Sequence, residues 1–315
     1  MNILVMAAGA LGGYVGSAIS KQHNVMFIAR NTHLQKIQEN GLIVKSITSG
    51  DHICDAIAYE RPPDNYKADM IIYCVKSYHN LKAIPIIKDS VTDSTTILTL
   101  QNGIGSGEFL ASHFGNNKVI LGAAYIDVNL LEYGVIKEHG GDCKIVFGAY
   151  GKNNEYHTKK VESILSQTEI KHHLSEKITI DIWEKLIFIA GLSGMTCITN
   201  SSFEEVLNYP KTKKLTELLI SEVYEVAMAS GIPLKKDTVA RTMKYFMAFK
   251  SELTSSMHQD LLNGNPLEVD SINGAVGKLG KTHKVPTPIN DTISSSLSLI
   301  SNTRQIKFEK LNKEM

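Results

Sequence analysis

The chain lacks a large excess of charge of either sign. Among its 315 residues, Lys and Arg total 33 and Asp and Glu total 32, which gives a formal net charge of +1. Proteins that bind nucleic acid or an anionic membrane surface usually carry a basic excess. The balance therefore gives no support to either kind of partner.

Long apolar runs are also missing. The longest nearly apolar run covers residues 186–195, far short of the ~20 residues that span a bilayer. The sequence opens on an apolar, strand-like run with no basic start and no small-residue cleavage site. We therefore expect no membrane span and no signal peptide, and we predict a soluble, cytoplasmic protein.

Cysteine is scarce and scattered. The four cysteines lie tens of residues apart, with no Cys-x-x-Cys pair and no histidine at ligand spacing beside them. This pattern is not that of a disulfide framework or a zinc site. His172 and His173 are adjacent, so in a strand they point to opposite sides and form no ligand pair. We predict reduced core cysteines and no metal site.

The first half of the chain alternates between two patterns. Continuous apolar segments, typical of strands buried on both faces of a sheet, occupy residues 2–7, 24–29, 69–75 and 95–100. Helical patterns separate them at residues 14–22, 31–40 and 80–90, with the cap-type residues Asn31 and Asn80 at two helix starts. The alternation predicts βαβ units and a parallel, doubly wound α/β sheet. Further strands are predicted at residues 118–124, 135–139 and 144–148.

The second half has a helical pattern throughout. After about residue 176, apolar residues recur at three- and four-residue spacing in 178–199, 211–230, 236–249 and 267–283, and a last helix is predicted from 288 to about 308. A chain of this length suggests about two domains. We predict an α/β domain at residues 1–173 and an all-helical domain at 174–315.

A glycine-containing turn follows the first predicted strand. It reads Ala7-Ala8-Gly9-Ala10-Leu11-Gly12. In the fingerprint G-x-G-x-x-G, the second glycine lets the backbone approach a pyrophosphate and the third allows close packing of helix on strand. Gly9 and Gly12 fill these two roles, while Ala7 replaces the first glycine. The position between strand and helix predicts a Rossmann-type dinucleotide site, with the pyrophosphate at the helix N-terminus.

The residue that ends the second predicted strand indicates which dinucleotide is bound. Proteins that bind NAD usually place Asp or Glu about 20 residues after the glycines, where it accepts from the ribose hydroxyls. Here that region holds Arg30, whose guanidinium can bind a 2′-phosphate through two hydrogen bonds. Arg30 favours NADP over NAD. The alternative is an ordinary exposed arginine.

Several separated motifs together resemble the ketopantoate reductase (2-dehydropantoate 2-reductase) family. The resemblance covers nearly the whole chain and keeps the order of the family's motifs. Besides the Gly9–Gly12 turn, the motifs are Val75-Lys76, Gln101-Asn102-Gly103-Ile104-Gly105, Trp183-Glu184-Lys185-Leu186, Ser255-Ser256-Met257 and Glu268-Val269-Asp270-Ser271-Ile272-Asn273-Gly274.

The resemblance implies NADPH-dependent reduction of a 2-oxo acid, in that family ketopantoate to pantoate in pantothenate biosynthesis. It implies that Lys185 is the proton donor, that Glu268 tunes this lysine, and that Ser256 binds the substrate carboxylate. The predicted cofactor contacts outside the turn and Arg30 are Lys76, Asn102 and Val128. Without the resemblance, Lys185 would be a surface lysine of a helix and Glu268 an acid at a helix start.

One helix face departs from the family pattern. Lys185, Ile189 and Ser193 are spaced four residues apart and lie along one face of a helix, where family members carry Lys, Asn and Asn. Ile189 and Ser193 therefore change the predicted substrate contacts and leave open a reductase of a more apolar 2-oxo acid. A non-catalytic NADPH sensor or scaffold is a third reading, although it would need neither Lys185 nor Glu268. The oligomeric state stays open, with a homodimer as one candidate.

Overall fold

The computed structural model describes residues 1–151 and 154–314 and divides them into two compact units. The first unit comprises residues 1–101 and 106–178, and the second comprises residues 102–105 and everything from 179 onward. The border thus lies five residues beyond the predicted one, after 178 instead of 173. The segment 102–105 belongs to the helical unit, although residues on both sides of it belong to the first unit. A division of the chain at one position therefore cannot describe the two units.

The described part of the chain contains twelve strands. They are β1 (Asn2–Met6), β2 (Asn24–Ile28), β3 (Leu42–Ser46), β4 (His52–Cys54), β5 (Ile57–Tyr59), β6 (Met70–Tyr73), β7 (Thr96–Thr99), β8 (Val119–Tyr125), β9 (Val128–Glu132), β10 (Val135–Glu138), β11 (Lys144–Ala149) and β12 (Lys171–Leu174). Eight of them form one sheet in the order β12-β11-β8-β7-β6-β1-β2-β5, and the others form a second sheet, β4-β3-β10-β9.

The large sheet has the predicted parallel, doubly wound arrangement. Strand β1 lies in the interior of the sheet and pairs in parallel with β2 and β6, so that Val5 is opposite both Phe27 and Ile72. Only β11 runs antiparallel to its neighbour β8 among the pairs of this sheet that the structure describes. The central strands are buried on both faces, which is why their sequences read as continuous apolar runs.

Strands β3, β4, β5 and β9 were not predicted. They are short, and buried residues alternate in them with exposed ones or are nearly absent, as in β9, where four of five residues are exposed. Such segments give no continuous apolar run, and β3 also pairs with a strand that is distant in the sequence, so that Ile43 lies opposite Val135. Tertiary pairing, not local pattern, made them strands.

Five helices belong to the first unit. They are α1 (Ala10–Ser20), α2 (Asn31–Asn40), α3 (Asn80–Ile87), α4 (Ser106–Phe114) and α5 (Glu155–Leu165), of which α4 and α5 were not predicted. The prediction that Asn31 and Asn80 cap helices was wrong, because Arg30 and His79 hold the N-cap positions. The Asn80 Oδ1 atom instead accepts hydrogen bonds from the Tyr73 hydroxyl and the Gln101 amide.

None of the four cysteines forms a disulfide in the structure. Cys54 and Cys143 lie in the core of the first unit, Cys197 lies in that of the second, and Cys74 follows β6. Burial raises the pKa of Cys74 to about 12, so this thiol stays protonated at neutral pH. Among the described residues, no three His, Cys, Asp or Glu side chains lie together in a way that could hold a metal ion.

The second unit is helical, as predicted. Its helices are α6 (Ile178–Thr199), α7 (Phe203–Asn208), α8 (Pro210–Ala229), α9 (Thr238–Phe249), α10 (Ser256–Leu262), α11 (Asn273–His283) and α12 (Pro288–Glu314). The predicted helix start at 267 was wrong. A short 3-10 turn at Val269–Ser271 comes first, and Ile272 leaves helical backbone angles before α11 begins at Asn273.

Helix α6 supplies much of the second core. Leu186, Ile187, Ala190 and Met195 on this helix are fully buried. By length and composition α6 could also cross a membrane, which the short apolar run in the sequence did not indicate, but most of its apolar window is buried inside the protein. Burial of this kind is typical of the core helix of a globular unit.

Candidate active site

The turn at residues 7–12 joins β1 to α1. Gly9 is the N-cap of α1 in an extended conformation, and the Ala8 N–H donates to the Ile28 carbonyl over 2.8 Å. A Cβ atom on Gly12 would lie 2.2 Å from the Ala7 carbonyl oxygen, whereas one on Gly9 would meet nothing within 4 Å. Gly12 therefore permits close packing of helix on strand, and the side of the turn at Gly9 is open.

The N-terminus of α1 suits a phosphate. The first bonded amide after the turn is that of Gly13, which donates to the Gly9 carbonyl over 2.7 Å. The preceding amides of a helix have no partner within the helix, and the first turn of α1 carries no acidic residue. The residues present thus fit a pyrophosphate held by backbone amides and the helix dipole.

The other predicted cofactor contacts of this unit lie at three different places. Arg30 is exposed at the N-cap of α2, directly after β2, and the residues that the structure describes include no ion-pair partner for it. Lys76 precedes the 3-10 turn that leads into α3. Val128 begins β9 in the small sheet and packs partly buried against the core. Arg30 is therefore available to an anion, while contact of Lys76 and Val128 with a cofactor stays a prediction.

Lys185 and Asn102 meet in the second unit. The Lys185 Nζ atom donates to the Asn102 Oδ1 atom over 2.8 Å. Burial lowers the pKa of Lys185 from its ordinary value to about 8, and the negative charge of Glu268 opposes that shift. Asn102, predicted as a cofactor contact, is thus also the hydrogen-bond partner of the predicted proton donor.

A backbone contact holds the Asn102 segment in place. The Ile104 N–H donates to the Ser271 carbonyl over 3.0 Å. Gly103 has a φ of +86°, and a Cβ atom there would lie 2.0 Å from the same carbonyl oxygen. Glu268 precedes this turn and is 6% exposed. The short segment from Glu268 to Ser271 therefore carries a buried carboxylate at its start. At its end it holds the segment that contains Asn102, the hydrogen-bond partner of Lys185.

Ser193 contacts a serine that sequence reasoning missed. Ser255, not Ser256, is buried, and its hydroxyl donates to the Ser193 Oγ atom over 2.7 Å. Ser255 also caps α10 by accepting from the His258 N–H, a role for which serine is favoured and which the sequence could have indicated. Ser256 is exposed as the first residue of α10, and Ile189 packs partly buried against the helical core.

A buried network of side-chain amides links α6 to other helices of this unit. Sequence reasoning did not predict it. The Asn273 Nδ2 atom donates to Asn290 Oδ1 over 2.9 Å and reaches the Ala190 carbonyl of α6 at 3.4 Å. The Asn290 amide in turn donates to Glu222 of α8 over 2.7 Å. Because both asparagines are fully buried, this network sets the position of α6 among three other helices.

These features define a class of protein: an α/β unit with a dinucleotide-type turn, followed by a helical unit that carries a lysine with a lowered pKa beside a buried carboxylate. Comparison with known families gives the particular family. Residues 3–152 match the family described as "Ketopantoate reductase PanE/ApbA", and residues 177–301 match its C-terminal part. The chain belongs to the ketopantoate reductase family, a family of oxidoreductases, and the resemblance inferred from its motifs is confirmed.

Curated relatives match over nearly their whole length. The chain is 26% identical to 2-dehydropantoate 2-reductase of Halobacterium salinarum, covering 95% of this chain and 98% of the relative. It is 28% identical to the protein of the same name from Pyrococcus abyssi, covering 92% of this chain and 94% of that relative.

Solved structures share the fold. A PanE/ApbA family ketopantoate reductase from Ralstonia eutropha superimposes with a TM-score of 0.88 at 26% identity, covering 97% of this chain and all of that one. D-mandelate dehydrogenase with NADH and anilino(oxo)acetate gives a TM-score of 0.89 at 23% identity, covering 97% and 99%. A dimeric ketopantoate reductase from Staphylococcus aureus gives 0.81 at 21%, covering 96% of this chain and all of that one.

Proposed function

We propose that this protein uses NADPH to reduce a 2-oxo acid to a 2-hydroxy acid, and that its substrate is 2-dehydropantoate, the product being pantoate for pantothenate biosynthesis. The observation that carries the proposal is the environment of Lys185: a hydrogen bond to Asn102, burial that brings its pKa to about 8, and the buried carboxylate of Glu268 nearby. A lysine tuned in this way is suited to proton transfer near neutral pH.

The first unit would hold the cofactor. The amides at the start of α1 would bind the pyrophosphate, Gly9 and Gly12 would allow its approach, and Arg30 would bind the 2′-phosphate. When bound, NADPH supplies the hydride that adds to the ketone carbon. D-mandelate dehydrogenase, which shares the fold, has a structure with NADH and so supports a nicotinamide cofactor. Arg30 is the argument for NADP over NAD.

Lys185 would supply the proton. Hydride addition places negative charge on the former ketone oxygen, and a nearby ammonium group lowers the energy of that charge as it develops. The Lys185 ammonium then donates a proton to the oxygen and becomes a neutral amine. Asn102 accepts one N–H of Lys185, which helps to orient the ammonium for proton transfer.

Glu268 would keep Lys185 charged. Burial alone favours the neutral amine, and the carboxylate favours the ammonium. The balance leaves a group that is mostly protonated at pH 7 but gives up its proton readily. A non-catalytic sensor or scaffold has no use for this balance, so we favour an enzyme.

A second candidate substrate is a more apolar 2-oxo acid. Ile189 offers no hydrogen bond, and the Ser193 hydroxyl already accepts one from Ser255. A pocket that pairs a substrate hydroxyl can favour it strongly, whereas an apolar side chain in that place removes the preference and disfavours the hydroxyl by up to about 10²-fold. This candidate predicts that ketopantoate, which carries a 4-hydroxyl, is reduced less well than an aliphatic 2-oxo acid of similar size.

Steady-state kinetics with a panel of 2-oxo acids, each with NADPH and NADH, test both candidates. Efficient ketopantoate reduction supports the first candidate, and preference for an aliphatic acid supports the second. Under the second, the double variant Ile189→Asn, Ser193→Asn should shift the ratio of the two kcat/KM values toward ketopantoate by about tenfold or more. No turnover with any 2-oxo acid and either cofactor would disprove the proposed function.

Lys185→Ala provides the catalytic control for the same panel. We expect it to bind NADPH like the wild type and to lose roughly 10²- to 10⁴-fold in kcat, the usual range for a lost general acid. Normal turnover in this variant would exclude Lys185 as the proton donor.

Light scattering after size exclusion would test the proposed homodimer, and cell fractionation would test the predicted cytoplasmic location.

A further inference from the structure

His33 joins the dinucleotide turn to a distant hairpin. It lies in the first turn of α2, and its Nε2 atom is 2.7 Å from the Ala8 carbonyl oxygen. Its Nδ1 atom is 3.0 Å from the backbone nitrogen of Gly134, which lies between β9 and β10. One imidazole therefore connects α2, the β1–α1 turn and the small sheet within the first unit.

The two partners determine which nitrogen carries the proton. A backbone N–H can only donate, so Nδ1 must accept from Gly134 with its lone pair. A carbonyl can only accept, so Nε2 must carry the proton and donate to Ala8. Only the neutral tautomer protonated at Nε2 makes both hydrogen bonds. Burial favours this neutral form and lowers the pKa of His33, partly offset by the bond to the Ala8 carbonyl.

The hairpin side of the contact is firmly built. The Gly134 carbonyl accepts from the Ile43 N–H over 2.9 Å, so both backbone groups of Gly134 are engaged. Gly134 has a φ of +84°, and a Cβ atom there would lie 2.9 Å from the Lys36 Cβ atom. The close approach of the hairpin to α2 therefore requires glycine at this position.

The contact orients the peptide that precedes α1. In a trans peptide the C=O and N–H groups point in opposite directions. When His33 holds the Ala8 carbonyl, the N–H of Gly9 faces away from His33. The Ala8 N–H is held as well, by Ile28 at the end of β2. Both backbone groups of Ala8, its C=O and its N–H, are thus hydrogen-bonded. These two bonds fix the direction in which the N–H of Gly9 points.

We propose that His33 is a positioning residue for dinucleotide binding: through the Ala8 carbonyl it preorganises the amides at the start of α1. This inference rests on the proposed function, because it assumes that a nicotinamide dinucleotide binds at residues 7–12. His33 acts on the pyrophosphate-binding turn, not on the 2′-phosphate. Its loss should therefore weaken NADPH and NADH by a similar factor, unlike the loss of Arg30.

The proposal requires neutral His33, so the charged and titratable groups around its imidazole matter. On α2 these are the exposed Arg30 and Lys36, the latter paired with Glu39 at 2.8 Å. On the hairpin they are Glu132 and Tyr133, whose ring centre is 6.5 Å from that of His33. The β1–α1 turn contributes no titratable side chain. Protonation of the imidazole would set its new Nδ1–H against the Gly134 N–H and break that bond.

The test measures dissociation constants of NADPH and NADH for the wild type, His33→Phe, His33→Gln and the control Gln35→Ala, an exposed neighbour on α2. Phe removes both hydrogen bonds and should raise both constants about tenfold, with kcat at saturating NADPH unchanged. Gln keeps a donor and an acceptor and should restore most of the affinity. Melting followed by circular dichroism checks that each variant is folded.

A pH series with NADH gives a readout that a purely structural role would not change. NADH lacks the 2′-phosphate, which itself titrates near pH 6. Since the pKa of His33 is lowered, wild-type affinity should be constant above the ordinary histidine value and fall as pH drops below it. The His33→Gln variant cannot titrate at this position and should lack that fall. Nitrogen chemical shifts of His33 should report the tautomer protonated at Nε2.

The outcomes separate the inference from the proposed function. Folded His33→Phe with wild-type dissociation constants would overturn the positioning role while leaving the function intact, as would a wild-type pH series identical to that of His33→Gln. A loss confined to kcat would overturn it as well. A wild type that binds neither dinucleotide would overturn the proposed function, and the inference with it.

Discussion

At the scale of single residues, Lys185, the proposed proton donor, has a pKa that is set by two opposing effects. Burial lowers its pKa to about 8, and the charge of Glu268 limits the fall. Neither effect can be assigned from residue types alone. A lysine and a glutamate more than eighty positions apart affect each other only because the fold brings the Glu268 carboxylate close enough to act on the Lys185 ammonium.

The Glu268→Gln variant should move the pH profile of kcat toward acid. In the direction of ketone reduction the wild type needs protonated Lys185, so kcat should fall as pH rises through about 8. Removing the carboxylate removes the charge that favours the ammonium, so the fall should begin at a lower pH. The measurement is kcat against pH with saturating substrates.

Glu184 offers a matched control for that profile. It neighbours Lys185 on α6, but it pairs at the surface with Arg241 over 3.0 Å. Glu184→Gln should therefore leave the profile in place. A Glu268→Gln profile that coincides with the wild type would show that Glu268 does not set the pKa of Lys185.

Arg30 should decide the preference between cofactors. Its guanidinium is exposed and unpaired among the residues that the structure describes, so we expect NADPH to bind more tightly than NADH. Arg30→Ala should abolish most of that preference by weakening NADPH while sparing NADH. Fluorescence titration gives the four dissociation constants, with Lys21→Ala, a surface lysine paired with Glu169, as control. Equal wild-type affinities would refute the assignment.

At the scale of elements, the segment at residues 102–105 shows how a loop is attached to a unit that follows it in the chain. It leaves the sheet after β7 and docks on the turn before α11 through the Ile104–Ser271 hydrogen bond. The sequence indicated Asn102 of this segment as a cofactor contact, but it did not indicate that the segment would pack against Ser271.

Substitution of Gly103 should loosen this attachment. Gly103→Ala adds a Cβ atom 2.0 Å from the Ser271 carbonyl, at a φ that alanine adopts reluctantly. Gly105→Ala is the matched control, because φ is +97° there but the added atom meets nothing within 4 Å. Both variants should lose about 1 kcal/mol from backbone strain, and Gly103→Ala should lose a further ~1–3 kcal/mol from the clash.

Urea unfolding measures these losses, and kcat reports the position of Asn102. Gly103→Ala should lower kcat because Asn102 no longer holds the Lys185 ammonium in one orientation, whereas Gly105→Ala should retain kcat. Equal stabilities and equal turnover in the two variants would mean that contact with Ser271 does not matter.

At the scale of the whole molecule, the chain has two separate hydrophobic cores. One is built around the large sheet, from residues such as Val5, Phe27 and Leu98, and the other around α6, from residues such as Leu186 and Phe246. Two cores give two units that can each unfold cooperatively, so one melting temperature need not describe the chain.

The single tryptophan allows the two units to be followed separately. Trp183 is buried in the second core, so its fluorescence reports on the helical unit, while circular dichroism in the far ultraviolet reports on both. NADP⁺ at about 100 times its dissociation constant stabilises the state that binds it by about 2.7 kcal/mol. We expect NADP⁺ to raise the unfolding temperature of the α/β unit, followed by circular dichroism, more than that of the helical unit, followed by fluorescence. Equal shifts would mean that the units unfold as one.

The sequence by itself determined the elements whose signals are local. Buried parallel strands have continuous apolar sequences, and α6 has a long, mostly apolar sequence with helical spacing. Gly9 and Gly12 mark the turn after β1. Motif resemblance also identified the family and proposed Lys185 and Glu268. Each of these inferences depends on residues that are close together in the chain, or on motifs that keep a recognisable order.

The tertiary structure alone decided which side chains meet. Lys185 bonds Asn102 across 83 positions, Ser193 bonds Ser255 across 62, and Gly134 bonds His33 across 101. Periodicity and propensity describe short windows of sequence and carry no information about such pairs. The choice of Ser255 over Ser256 as the buried serine, the pKa of Lys185 and the bridge made by His33 all depend on burial and distance, which exist only once the chain has folded.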